Sequence, residues 1–158
     1  MTASTTKTTT RRKKATLPPN PFLNEILDYV DSQKTKAKKV QALQEYRDDS
    51  LTAILIWNFD DRVQSAIPEG QVPYKENEVP VGTDHTSLRR EWKNLYHFIK
   101  GGNDELSSLR RETMFIQMLE GLHPEEAKII CLVKDKNLTE KYKVTRELVA
   151  EAFPDIVW

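Results

Sequence analysis

The sequence has one cysteine, five glycines and no long apolar run. A single thiol, Cys131, excludes an intrachain disulfide. It lies among apolar residues of a predicted helix, which favours a buried structural thiol over a reactive one. No stretch reaches the roughly 18 apolar residues of a membrane span, and the N-terminus has no apolar signal core. We therefore expect an intracellular protein that does not contact a membrane.

Residues that carry catalysis or bind cofactors are also scarce. The three histidines, His85, His97 and His123, lack the i, i+4 spacing of a helical zinc pair. None of the glycines belongs to a phosphate-binding loop. The acidic pairs at 60–61 and 125–126 are interpreted as solvated or helix-capping groups. The sequence thus predicts a protein that is not an enzyme and has no cofactor or metal ion.

Apolar residues do recur at helical spacing, and capping signals separate the runs. We expect three consecutive amphipathic helices between residues 103 and 153. The first begins after Asn103 and Asp104, Pro124 opens the second, and Thr145 caps the third. The predicted inner stripe of the first of these helices is Leu106, Leu109, Thr113, Ile116 and Leu119.

Four further helices are predicted at about 22–32, 34–46, 49–59 and 86–100. The third of them is apolar almost all round and is the expected central helix. Prolines and glycines between 60 and 84 preclude a long regular element, and this loop is either functional or draped on the surface. The fold class is therefore all-α, a compact bundle of about six to seven short helices in a single domain, 21–158. The predicted inner residues of helix 86–100 are Leu88, Trp92, Leu95, Tyr96 and Ile99.

The formal net charge of zero conceals a split along the chain. Up to Arg47 there are ten basic and four acidic residues, a net charge of +6, so the remainder carries −6. Residues 1–20 are rich in threonine and basic groups and contain too few apolar residues to fold alone, so we predict a disordered arm. The arm either binds a polyanion or serves only as a solubilising tail.

Basic groups are the remaining candidates for a binding site. Three lysines lie near residue 36, at the N-terminus of a predicted helix, where cations oppose the helix dipole. This unfavourable placement indicates either a functional role or a solvated lysine face. A second group of basic residues precedes the Thr145 cap. The free N–H groups and the cations at this helix start are suited to bind a backbone phosphate; the alternative is a plain capped helix with solvated lysines. The candidate DNA-binding residues are Arg11, Arg12, Lys13, Lys14, Lys36, Lys38, Lys39, Lys134, Lys136, Lys141, Lys143, Thr145 and Arg146.

Two resemblances add to this interpretation. The run from Arg110 to Lys128, RRETMFIQMLEGLHPEEAK, with LIWNFD at 55–60, is similar to a family of small uncharacterised proteins of T-even-type cyanophages. That resemblance covers nearly everything after the arm but implies no established activity. It implies a location in the cytoplasm of an infected bacterial host or in the virion.

The second resemblance is to the helical N-terminal DNA-binding domain of T-even-type phage ATP-dependent DNA ligases. It rests on the order of segments, from FLNEI at 22–26 and TKAKKVQAL at 35–43 to VTRELV at 144–149. In those ligases the domain grips duplex DNA by its phosphates and minor groove. The resemblance therefore implies backbone contacts from Lys36, Lys39, Lys141, Lys143, Thr145 and Arg146.

This sequence departs from the ligase pattern in two respects. Bulkier residues, Tyr142 to Val144, replace the small residues of the DNA-facing turn, and no nucleotidyltransferase domain is present. The leading hypothesis is a non-catalytic phage accessory protein that contacts the phosphate backbone of duplex DNA, nicked or intact. The alternative is a virion, assembly or adaptor protein that acts through contacts with phage replication or virion proteins.

Overall fold

A computed structural model of the chain describes residues 17–80 and 86–158. Over these residues the protein is all-α, as predicted, and the only β pairing is an isolated bridge between Ser65 and Ile99. No helix in this part of the chain is long and apolar enough to cross a membrane. The α-helices are α1 (Leu23–Ser32), α2 (Lys36–Glu45), α3 (Asp49–Phe59), α4 (Leu88–Glu91), α5 (Ser108–Gly121), α6 (Pro124–Lys134) and α7 (Arg146–Ala152), and 3-10 helices span Trp92–Phe98 and Leu138–Glu140.

Helix α3 is the centre of the bundle. Leu51, Ile54 and Leu55 are fully buried, and the helix packs against α4, α6 and the 3-10 helix Trp92–Phe98. Helix α2 instead packs between α1 and α7, so the first and last helices of the domain share one side of the molecule. The prediction of a buried central helix at 49–59 is confirmed.

Side-chain caps define several helix starts. The Asp48 carboxylate accepts from Leu51 N at 2.8 Å at the start of α3. The Thr145 hydroxyl accepts from Leu148 N at 3.2 Å, as its position before α7 predicts. Pro124 occupies the first turn of α6, where a missing N–H removes no helical hydrogen bond.

The start and inner face of α5 differ from the prediction. The cap is Ser107, whose hydroxyl accepts from Arg110 N at 3.2 Å, rather than Asn103 or Asp104. The buried residues are Phe115, Met118, Leu119 and Leu122, whereas Leu109 is 77% exposed. The predicted stripe shares only its last residue with the true inner face, because the first turn of α5 extends beyond the core.

The predicted helix 86–100 is also different, because only four residues are α-helical. The chain continues as a 3-10 helix, which has three residues per turn and so turns Trp92, Leu95 and Phe98 towards the core. Tyr96, predicted to point inward on a 3.6-residue period, is 50% exposed. The helix ends where Phe98 O accepts from Ala66 N at 2.7 Å, since extended pairing with residues 64–66 replaces helical bonding.

The loop after α3 is attached to the bundle over residues 60–80, and residues 81–84 lie outside the described ranges. The buried ammonium of Lys134 donates to Pro68 O at 2.9 Å and to Gly70 O at 3.0 Å. Further along, Lys75 N donates to Glu120 Oε2 at 2.9 Å. This part of the loop is therefore fastened to α5 and α6.

Candidate nucleic-acid interface

Lysines from separate parts of the chain meet beside the end of α1. Lys143 N donates to Asp31 Oδ1 at 2.8 Å, and Lys39 Nζ donates to the Val30 and Asp31 carbonyls at 3.2 Å each. These bonds bring the turn before α7 next to the first turn of α2. We define the cationic flank as the exposed lysines Lys36, Lys38 and Lys143. The ammonium of Lys39, also predicted to bind DNA, is instead held by the α1 carbonyls.

The turn before α7 alternates between inward and outward residues. Tyr142 is 1% exposed and Val144 is fully buried, whereas Lys141 and Lys143 are exposed. The bulk that distinguishes this turn from the ligase pattern therefore points into the core. Its lysines remain on the surface, where a phosphate could reach them.

Acidic groups lie close to the cationic flank. Lys36 forms an exposed ion pair with Glu151 at 3.4 Å. Lys141 pairs with Glu125 at 2.9 Å, and hydrogen bonds from Lys141 and Lys128 lower the pKa of that carboxyl group. Among the residues that the structure describes, Lys38 and Lys143 take part in no ion pair. The flank is therefore positively charged, but acidic side chains lie next to some of its lysines.

Two further candidate lysines have structural partners instead of an exposed ammonium. Lys134 is 3% exposed and holds the loop at Pro68 and Gly70. Lys136 Nζ donates to Trp57 O at 2.6 Å and Asp60 O at 2.9 Å, which caps the end of α3. Neither lies on the cationic flank, because each ammonium is taken by backbone carbonyls.

The side chains at the start of α7 have partners within the chain. Arg146 lies 3.7 Å from Asp61 and stacks over the Trp158 ring, 5.2 Å from its centroid. The Thr145 hydroxyl is already used as the cap of Leu148 N. The predicted phosphate seat at Thr145 and Arg146 stays a prediction, as do the arm residues Arg11, Arg12, Lys13 and Lys14, which lie outside the described residues.

Two buried carboxylates, Glu126 and Asp60, have structural roles that local sequence patterns did not predict. Glu126 is 1% exposed and accepts from Leu23 N and Leu88 N, each at 3.0 Å, and burial raises its pKa. Asp60 is 4% exposed, and hydrogen bonds from Arg62 lower its pKa to about 2. Neither carboxylate is solvated, and Glu126 caps α1 and α4 rather than its own helix, α6. The partners of Glu126 lie 103 and 38 positions away, beyond any local pattern.

A groove of about 610 Å³ between the loop and α6 contains Cys131. Burial raises the pKa of its thiol, and a hydrogen bond joins it to the Tyr74 hydroxyl. Such a thiol is a poor nucleophile, because the thiolate is the reactive form. Over residues 17–80 and 86–158, no cluster of three histidine, cysteine or acidic residues could hold a metal ion.

Comparison with known proteins identifies a sequence family. The sequence model described as "Family of unknown function (DUF6433)" matches residues 26–140. No curated protein and no solved structure matches the chain significantly.

Proposed function

We propose that this chain, which belongs to the DUF6433 family, is a non-catalytic phage accessory protein that binds the phosphate backbone of duplex DNA through its cationic flank. The observation that carries the proposal is the hydrogen bond from Lys143 N to Asp31. It joins the end of α1, which Lys39 of α2 also contacts, to a turn more than 100 residues later in the chain. Cations gathered from distant segments on one surface can contact more than one backbone phosphate.

The local chemistry suits backbone contact without base readout. The flank contains lysines, which bind phosphate as point charges, and lacks the paired arginine and asparagine side chains that read base edges. The ion pair of Lys36 with Glu151 is exposed on both sides, at 61% and 52%. Such surface pairs contribute about 0–1 kcal/mol, so a phosphate can replace the carboxylate at little cost.

Fluorescence anisotropy with intact and nicked duplexes at two salt concentrations tests the proposal. Counterion release gives a log–log salt slope of roughly −0.9 for each phosphate neutralised. We expect Lys38→Ala and Lys143→Ala each to weaken binding and to reduce the magnitude of that slope by about one contact. Neither lysine has an ion pair in the described chain, so neither substitution leaves an acid unpaired.

Lys93→Ala is the matched control. Lys93 is exposed on the 3-10 helix Trp92–Phe98, which packs on α3, α4 and α5 rather than on α2 or α7. Its removal changes the net charge by the same amount but leaves the flank intact. Absence of binding at low salt, or equal losses for Lys93→Ala and Lys143→Ala, would disprove the role of the flank.

A protein-binding role in the virion, in assembly or as an adaptor is the second candidate. It is favoured by Leu109, which is 77% exposed on α5, and by the acids that accompany the flank. Purified phage particles and replication complexes distinguish the two roles. Recovery of the chain in particles, together with no DNA affinity, supports the structural role over DNA binding.

A further inference from the structure

The outer face of α5 carries an apolar residue that nothing in the described chain covers. Leu109 is 77% exposed, and it borders a shallow groove of about 440 Å³. A leucine left in water forgoes the stabilisation that burial supplies, and here it lies beside the partly buried Met114 in the same groove. The groove is lined by Ser107, Leu109, Arg110, Thr113, Met114 and Gln117.

Opposite charges stand at the two ends of this face. Arg110 lies in the first turn of α5 and Glu120 in the last. Ten residues of α-helix separate them by about 15 Å. Lys75 N donates to Glu120 Oε2 at 2.9 Å, which holds the carboxylate in place. Among the described residues Arg110 has no ion pair.

We propose that this face of α5 binds the same face of a second copy of the chain, with the two helices antiparallel about a two-fold axis. An axis level with residue 115 places Arg110 of each copy opposite Glu120 of the other. It also places Leu109 at the level of Gly121 of the other copy, beside the segments whose Asn77 and Thr86 donate to the Gly121 carbonyl. Thr113 then faces Gln117, and both can hydrogen-bond across the axis.

A second copy fits better than an unrelated partner for two reasons. A face with a cation at one end and an anion at the other is complementary to itself under two-fold symmetry, which is the requirement of an isologous interface. The formal net charge of the chain is zero, so two copies do not repel each other overall.

The expected association is weak and reversible. One pair of helices buries less surface than the roughly 1,600 Å² of a standard interface. We therefore expect a Kd of the order of tens of micromolar, which sedimentation velocity of the full chain over a concentration series measures. This inference does not depend on DNA binding.

Charge reversal tests both the partner and the register. Arg110→Glu places two acids opposite each other at both ends of the interface, and Glu120→Arg places two cations there. Each variant alone should raise the Kd at least about tenfold. In an equimolar mixture, however, one variant is acidic at both positions and the other is basic at both, so the two copies are again complementary at each end. The mixture should associate about as well as the wild type.

Lys34→Glu is the matched control, since Lys34 is exposed between α1 and α2, and the packing partners of these helices are α6, α7 and each other rather than α5. It should leave the Kd unchanged, and thermal melting should show that all variants are folded. Leu109→Glu should abolish association. A wild-type chain that stays monomeric throughout the series, or a mixture that associates no better than its components, overturns the proposal.

Discussion

At the residue scale, one buried carboxylate holds two helix starts together. Glu126 accepts from Leu23 N in α1 through one oxygen and from Leu88 N in α4 through the other. Both N–H groups belong to first turns, which otherwise lack partners, and both helix dipoles favour an anion there. Glu126 is therefore a cross-link between α6 and two other helices.

Substitution of Glu126 should measure this cross-link. Glu126→Ala leaves two buried N–H groups without acceptors, and each such group costs about 1–3 kcal/mol. We expect a loss of roughly 2–5 kcal/mol in the free energy of unfolding, and a smaller loss for Glu126→Gln, whose amide retains one acceptor. Urea unfolding measures both, with the exposed Glu140→Gln as the control. A loss no larger than that of the control contradicts the role.

Stability should also depend on pH through Glu126. Burial raises its folded pKa above the ordinary 4.5, so the folded protein takes up this proton before the unfolded chain does. The contribution is thus largest at pH values below 4.5 and is lost as the pH rises through the folded pKa. The stability of the wild type relative to Glu126→Gln should rise as the pH falls towards 4.5. A difference that does not change with pH would contradict this.

At the scale of elements, cations act at helix ends. Lys39 donates to the last carbonyls of α1, and Lys136 to those at the end of α3. Arg111 donates to His97 O, Asn103 O and Leu106 O, at 2.8 to 3.0 Å, and so holds the connection before α5. Unpaired carbonyls at a helix C-terminus attract cations, which explains why these side chains are not free for a ligand.

Lys136 combines such a cap with an unfavourable backbone. Its φ is +59°, a left-handed conformation that costs a side-chain-bearing residue about 1–2 kcal/mol. Lys136→Met removes the two donated bonds and keeps that strain, so we expect a loss of about 1–3 kcal/mol. Lys136→Gly removes the strain as well and should lose less. Thermal unfolding ranks the two, and a larger loss for the glycine variant would mean that the backbone strain contributes little.

Local signals predicted the elements better than they predicted the contacts. The bounds of 49–59, the Pro124 start and the Thr145 cap follow from periodicity and capping, which act within four residues. The cap and stripe of α5 were wrong because Asn103, Asp104 and Ser107 are all good caps and only packing selects one. Carbonyl partners of Lys134 and Lys136 lie 64 to 79 positions away, so a basic run could not reveal which lysines are surface groups.

At the scale of the whole molecule, Asp60 connects the end of α3 to the last residues of the chain. It accepts from Arg62 N at 2.9 Å and Arg62 Nη2 at 2.8 Å, and the same guanidinium donates to Val157 O at 2.7 Å. Hydrogen bonds from Arg62 hold the pKa of Asp60 at about 2, below the ordinary 3.8. The final segment thus depends on an ionised carboxylate.

Acid should release this connection. A lowered folded pKa gives a contribution that is present above pH 3.8 and is lost as the pH falls through about 2. Asp60→Asn should therefore melt below the wild type at pH 7 and converge with it near pH 2. Melting curves at several pH values test this, and a constant gap between the two proteins would show that the carboxylate charge is not the cause.

The packing of α2 against α7 has a consequence for synthesis on the ribosome. Gln44 donates to Ala152 O, and Arg47 binds Asp155 through both carboxylate oxygens. About a hundred residues must be translated between the emergence of α2 and that of its partner, and closing so long a loop is entropically costly. The early helices therefore lack this packing until α7 has been translated, and their apolar faces stay exposed to water during that interval.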